Sequence, residues 1–305
     1  MPGLPAHVKV CEMGPRDGLQ NEARSVDAAT KIHYIDLLSE SGLPVIEATS
    51  FVSPKAIPQL ADAAAVCMGI AKHPGVLYPV LVPNAQGFAR AREAGVAAIA
   101  VFTAASESFT KRNINMSIQQ SLEIFAPIVS EARALGMWVR GYVSTCFGCP
   151  YEGPVDPAKV AHLAAALAAM GCVEISIGDT IGVGTPSQVY EVVAALRREI
   201  PLERVAMHFH DTRGTALANV GAALNEGIAI FDSSSGGLGG CPYAPGAAGN
   251  LATEDLLYLL HGMGIATGVD SQRVREASRF IGEALGRAPT SKAYLAPERW
   301  WQPAG

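Results

Sequence analysis

Arg204-Val-Ala-Met-His-Phe-His-Asp211 is apolar between its ends except for His208 and His210. Such a run reads as a buried strand, and residues two apart on a strand share a face. Both imidazoles therefore point one way. Two neutral nitrogens on a rigid strand suit a divalent metal that needs fixed ligands and an open position. Read alone, the same pair also fits two core histidines, each satisfied by a backbone carbonyl.

Outward from this strand, similar runs occupy Val8–Met13, Pro44–Phe51, Leu77–Pro83, Ala97–Thr103, Trp138–Thr145, Cys172–Gly178 and Ile228–Ser234, making eight in all. Helix-period segments alternate with them at Asp27–Ser41, Ile57–Lys72, Ala85–Ala94, Ile118–Leu135, Pro157–Met170, Pro186–Glu199, Ala216–Glu226 and Thr253–Met263. Parallel strands need a crossover helix between them, so this alternation predicts a (β/α)8 TIM barrel. Gly42, Gly95, Gly136, Gly171 and Gly227 follow helical runs where a left-handed cap favours glycine. Asp156-Pro157 and Thr185-Pro186 pair an N-cap with proline at the first helical position. No linker or repeat divides the chain. The expectation is a single barrel domain over residues 1–305, whose last part, at about 270–305, holds an extra C-terminal helix, Asp270–Gly286, and a loosely structured tail, Thr290–Gly305.

The net charge of −5 gives no basic footprint for nucleic acid. Apolar runs such as Gly95–Phe102 fall short of the roughly 20 residues a membrane span requires. Six cysteines in 305 residues do not make a disulfide scaffold. With the first strand beginning by Val8, no leader is expected, and the protein reads as cytoplasmic.

A barrel carries its chemistry at the C-terminal ends of the strands. There the sequence places Arg16 and Asp17 after the first strand, Glu47 in the second and Asp179-Thr180 after the sixth. His208 and His210 come from the seventh, and the eighth leads into Gly237-Leu-Gly-Gly-Cys241 and on to Asn250. Asp17 and Asn250 add oxygen donors to the two imidazoles, a mixed set that favours Mg²⁺ or Mn²⁺ over structural zinc. Asp17 before Gly18 also fits a simple Asx turn. Cys241, among glycines and before Pro242, is placed on a closing loop or is an ordinary surface thiol. Cys146-Phe-Gly-Cys149 lacks the second pair a zinc site needs and reads as structural. Lys111 and Arg112 read as solvated charges on the active-site side.

Val10–Glu22, Val45–Lys55, Gly141–Ser144, Gly148–Gly153, Gly171–Pro186 and Gly237–Tyr243 together resemble the 3-hydroxy-3-methylglutaryl-CoA lyases, from about Val8 to about Ala288. The resemblance implies a metal-dependent retro-Claisen cleavage of that thioester to acetyl-CoA and acetoacetate by a homodimer. It implies no organic cofactor beyond the substrate's CoA. Position by position, it makes Asp17, His208, His210 and Asn250 metal ligands. Arg16 becomes the catalytic arginine, Cys241 the loop cysteine, and Glu47 and Asp179 supporting acids. Asp17 or a water takes the hydroxyl proton, and His208 or Cys241 returns one to carbon. Arg213, Ala23 and Ser235-Gly236 depart from the pattern, and Arg213 beside the metal strand bears on acyl selectivity. A related branched 3-hydroxyacyl-CoA, a Claisen synthase of the same superfamily and a non-catalytic metal-binding barrel are the alternatives.

Overall fold

A computed structural model describes residues 3–241 and 244–296, with the side chains of 241–248 left out. Strands β1 (Lys9–Glu12), β2 (Val45–Ile46), β3 (Thr49–Ser50), β4 (Val80–Leu81), β5 (Ala98–Ala104), β6 (Trp138–Ser144), β7 (Glu174–Asp179), β8 (Val205–Phe209) and β9 (Ile230–Ser233) form one parallel sheet. Its order is β2-β1-β9-β8-β7-β6-β5-β4-β3. The two terminal segments, β2 and β3, are separated along the chain only by Glu47 and Ala48, and Val45 also bridges Leu77. The sheet thus curls round in a TIM-barrel-like parallel α/β architecture.

Helices α1 (Ala28–Ser39), α2 (Ala63–Gly69), α3 (Ala85–Glu93), α4 (Glu107–Ile114), α5 (Ile118–Ala134), α6 (Pro157–Met170), α7 (Pro186–Leu196), α8 (Ala216–Asn225) and α9 (Thr253–Gly262) follow the strands in turn. Most expected boundaries fall within three residues of these. The segment expected as one helix from Ile57 is instead a short 3₁₀ turn, Pro58–Leu60, followed by α2, and α4 was not anticipated. Helix α10 (Ser271–Leu285) has Asp270 accepting from the N–H groups of Gln272 and Arg273, and it packs against α1. The expected loose tail is corrected at its start. Helix α11 (Lys292–Leu295) is tied down by Asp255, which accepts from Ser291 Oγ and from the Lys292 and Ala293 N–H groups. Among the described residues no helix is long and apolar enough to cross a membrane.

Two-residue alternation decides what faces where. On β8, Val205, Met207 and Phe209 join the large core between sheet and helices. Ala206 belongs to the small cluster inside the curl, with Cys11, Val45, Leu81, Ala100, Tyr142 and Ile230. His208 and His210 continue the inward register set by Ala206. The same rule sends Arg140 and Tyr142 of β6, Ser176 of β7 and Asp232 of β9 inward.

Candidate active site

After β1 the chain makes one wide turn, Gly14–Gly18, in which the N–H groups of Asp17 and Gly18 return to the carbonyl of Met13 at 2.8 and 3.1 Å. A turn that widens to an i→i+5 bond re-aims side chains, and such turns recur at functional sites. Here it brings Arg16 and Asp17 over the mouth of the sheet. Arg16 Nε donates to Glu47 Oε2 at 2.6 Å and Nη1 to Asp17 Oδ1 at 2.5 Å, while its guanidinium lies 5.6 Å from the Tyr142 ring centre. Burial opposes the charge on Arg16, but Glu47 and Asp17 more than offset this and hold its pKa above the ordinary value. Asp17 is likewise opposed by burial, yet Arg16 and the two histidines depress its pKa. It stays ionised.

Strand β8 supplies His208, and His210 follows just past its end. His208 Nε2 and His210 Nε2 lie 3.2 Å apart, and Asp17 Oδ2 is 3.9 Å from His208 Nε2. His208 Nδ1 faces the Asp232 carboxylate, which can only accept, at 3.1 Å from Oδ2. Burial and the nearby His208 lower the His210 pKa to about 4, so that ring is neutral. For His208, burial is outweighed by Asp232 and Asp17, and its pKa rises.

His210 forms a bridge with Asn250, fixed by Asp211 N–H to Gly249 O at 2.8 Å and Leu251 N–H to Phe209 O at 3.0 Å. A Cβ added at Gly249 would meet the Gly239 backbone at 2.6 Å, so this neck of the glycine loop closes only around glycine. It sets Asn250 beside Asp17, but with Nδ2 donating to Asp17 Oδ2 at 2.9 Å and to Leu238 O at 3.2 Å. The amide must turn over before its oxygen joins the donor set.

The donor set fits a divalent cation. The side-chain donors of Asp17, His208 and His210 all lie within 4.8 Å of one another. Nitrogen atoms 3.2 Å apart are spaced much like adjacent corners of an octahedron with ligand bonds of about 2.1 Å, which are about 3 Å apart. The buried His210 Nδ1 and Asn250 Oδ1 make no hydrogen bond in this conformation.

A cavity of about 540 Å³ opens over these groups, lined among others by Arg16, Asp17, Phe102, Tyr142, Thr180 and His208. Glu47 lies beneath it, buried, with its pKa raised by desolvation despite Arg16. Asp179 does not face the cavity directly. Its carboxylate accepts from the Val183 and Gly184 N–H groups at 2.9 Å each, shaping the loop after β7, and burial pushes its pKa to about 6. Thr180 Oγ1 accepts from Thr145 N–H at 2.8 Å and so props a residue with φ of 59°.

The expected role of Arg213 in acyl selectivity is corrected. Its Nη1 donates at 2.9 Å to the carbonyls of Ile181 and Gly182, and the exposed side chain does not line the cavity. Cys241 lies in β10 (Gly240–Cys241), paired with β11 (Ala244–Ala248), and Gly240 lines the cavity; the Cys241 thiol lies outside the described residues. Reading the sequence missed Arg140, Tyr142, Ser176 and Asp232. An arginine inside Trp138-Val-Arg-Gly and an aspartate inside Ile230-Phe-Asp-Ser were the available signals, since charges buried in strands need partners.

Fold and site define a TIM-barrel-like α/β protein with a divalent-cation donor set and an arginine at the C-terminal mouth of its sheet. The chain belongs to the HMGL-like family, which matches residues 7–281. It is 58% identical to the mitochondrial hydroxymethylglutaryl-CoA lyase of Bos taurus over 96% of this chain and 90% of that protein. It is 55% identical to the cytoplasmic 3-hydroxy-3-methylglutaryl-CoA lyase of Mus musculus over 97% of this chain and 86% of that protein. The crystal structure of hydroxymethylglutaryl-CoA lyase from Pseudomonas aeruginosa superposes with a TM-score of 0.94 at 54% identity, covering 96% of this chain and 98% of that one. The expected cytoplasmic address is overturned by the mitochondrial relative. Among the described residues Cys11, Cys67, Cys146, Cys149 and Cys172 are free and buried, and burial of a thiol carries no compartment address.

Proposed function

We propose that the chain is a carbon–carbon lyase that cleaves 3-hydroxy-3-methylglutaryl-CoA to acetyl-CoA and acetoacetate. The observation that carries this reading is Arg16 held over the Asp17, His208 and His210 donor set within one cavity. Family membership and relatives of that name support it.

Asp17, His208 and His210 would hold Mg²⁺ or Mn²⁺, with Asn250 joining after its amide turns over. A divalent cation would supply Lewis-acid character and orientation for the substrate. Cleavage removes the proton of the tertiary hydroxyl. The C2–C3 bond pair then moves to the thioester side, C3 becomes the ketone of acetoacetate, and C2 is left as an enolate. Arg16, always charged, is placed to stabilise that enolate oxygen. Among the described residues its Nη2 has no protein hydrogen bond, so a donor remains for substrate. Glu47 fixes the guanidinium, and Tyr142 packs beside it.

Arg16 and the two histidines hold Asp17 ionised, and Asp17 or a water beside it takes the hydroxyl proton. His208 uses Nδ1 on Asp232 and turns Nε2 to the donor set, leaving no proton for carbon. Cys241 is the better source of that proton. Asp179 and Thr180 act by shaping the loops at the rim. We also propose that β2 and β3 act as one strand closing an eight-stranded barrel, a single domain with α10 as its extra C-terminal helix. A homodimer is supported by the resemblance. The test is stoichiometric release of acetoacetate and acetyl-CoA from the thioester with Mg²⁺, lost on chelation.

A further inference from the structure

A buried polar chain runs through the inside of the sheet below the metal-type donors. Arg140 has no exposed surface, and its Nη2 donates to Asp232 Oδ1 at 2.6 Å. Its Nη1 donates to Tyr142 Oη at 3.2 Å, and Nε pairs with Glu174 Oε1 at 3.1 Å. Glu174 also pairs with Lys9 from β1. The other oxygen of Asp232, Oδ2, accepts from Ser176 Oγ at 2.8 Å and from His208 Nδ1 at 3.1 Å. Asp232 is thus held on one side by a group that can only donate and meets the imidazole with the other.

We propose that Asp232, oriented by Arg140 and Ser176, is a positioning residue that fixes His208 in the Nδ1–H tautomer, so that its Nε2 lone pair faces the donor set. The argument is one of donor counting. A carboxylate only accepts, so the nitrogen facing it carries the hydrogen and the far nitrogen is bare. A histidine that binds a metal through one nitrogen commonly gives the other to a carboxylate, and losing such a partner typically costs about 10–100-fold in metal affinity. The inward register of Ala206 and His208, and of Ile230 and Asp232, puts both side chains on the same interior face, and neither can turn toward solvent.

The same counting makes Asp232→Asn a precise probe. Arg140 cannot accept, so it holds the amide oxygen and turns the amide nitrogen toward His208. That nitrogen donates, His208 Nδ1 must accept, and the ring proton moves to Nε2, where it blocks the lone pair. The inference rests on the metal reading above, and two readouts separate them. The first is ¹⁵N NMR of the metal-free protein at alkaline pH, with His208→Gln assigning the signal among the seven histidines. Expected is a protonated Nδ1 and bare Nε2 in the native chain, reversed in Asp232→Asn. The second is Mn²⁺ binding by electron paramagnetic resonance, expected to weaken about 10–100-fold in that variant. An Nε2–H tautomer in the native protein overturns the proposal whether or not the variant folds. So does a folded Asp232→Asn whose Mn²⁺ affinity is unchanged. Native protein that binds no Mn²⁺ overturns the metal reading instead, and the tautomer spectrum still decides the role of Asp232.

Discussion

Arg16 Nε donates to Glu47 Oε2 at 2.6 Å, and this bond, made under the cavity floor, fixes the guanidinium whose Nη1 reaches Asp17. An arginine at the end of a long side chain would otherwise sample many rotamers. Anchored on a fully buried carboxylate, it presents its remaining donor in one place, the arrangement that makes electrostatic stabilisation effective.

Arg16→Gln is therefore expected to lower kcat by about 10²–10³-fold while Mn²⁺ still binds, since the lost donor acts on charge that develops during cleavage. Steady-state kinetics and a Mn²⁺ titration check this together. Unchanged turnover would remove Arg16 from the chemistry.

Glu47→Gln tests the anchor. The amide can still accept from Arg16 Nε but loses the ion pair within a buried site, so kcat is expected to fall less than in Arg16→Gln, by about tenfold. A loss as large as that of Arg16→Gln would mean that Glu47 does more than hold the guanidinium.

Cys241→Ala is expected to leave Mn²⁺ binding intact and to slow turnover sharply, and Cys241→Ser is expected to recover little, because a hydroxyl gives up its proton less readily than a thiol. If His208 delivered the proton to carbon instead, both variants would turn over nearly normally.

Metal should also stabilise the fold. Binding only to the native state at 100 times its dissociation constant adds about 2.7 kcal/mol, so saturating Mg²⁺ is expected to raise Tm and the chelator to reverse it. No shift in His208→Gln is the matching control.

Glu12 gives a pH test away from the chemistry. Its buried carboxylate accepts from Gly14 N–H, Ser235 N–H and Thr253 Oγ1, yet desolvation wins and raises its pKa from 4.5 to about 7. The folded state then holds a proton that the unfolded chain has lost, so this group's contribution falls as pH rises from the unfolded value through about 7. Compared by urea unfolding, native protein should lose up to about 3 kcal/mol relative to Glu12→Gln between about pH 4.5 and pH 8. A relative gain over that interval would reverse the sign and refute the assignment.

Much of this was legible because periodicity and function coincide. His208 and His210 announce one face of a strand, and Ala206 shows that this face is the interior. Arg16 and Asp17 were readable as polar residues after a strand, but the wide turn that aims them was not, since it depends on Met13 O collecting three N–H groups. The short stretches β2 and β3 read as one strand because hydrophobic runs do not register the break at Glu47 and Ala48. Arg140 and Asp232 escaped for a different reason: each looks misplaced in its own apolar strand, and only the register between β6, β7, β8 and β9 pairs them. Arg213 misled because nearness in sequence to His210 is not nearness to the cavity, its guanidinium being tied to Ile181 and Gly182.

The most direct measurement is incubation of purified protein with 3-hydroxy-3-methylglutaryl-CoA and Mg²⁺, following acetoacetate and acetyl-CoA with and without a chelator. Equal amounts of both products, abolished by chelation and restored by added metal, are expected. Bound metal with no cleavage of this thioester, or cleavage indifferent to the chelator, would contradict a metal-assisted lyase built on Asp17, His208 and His210.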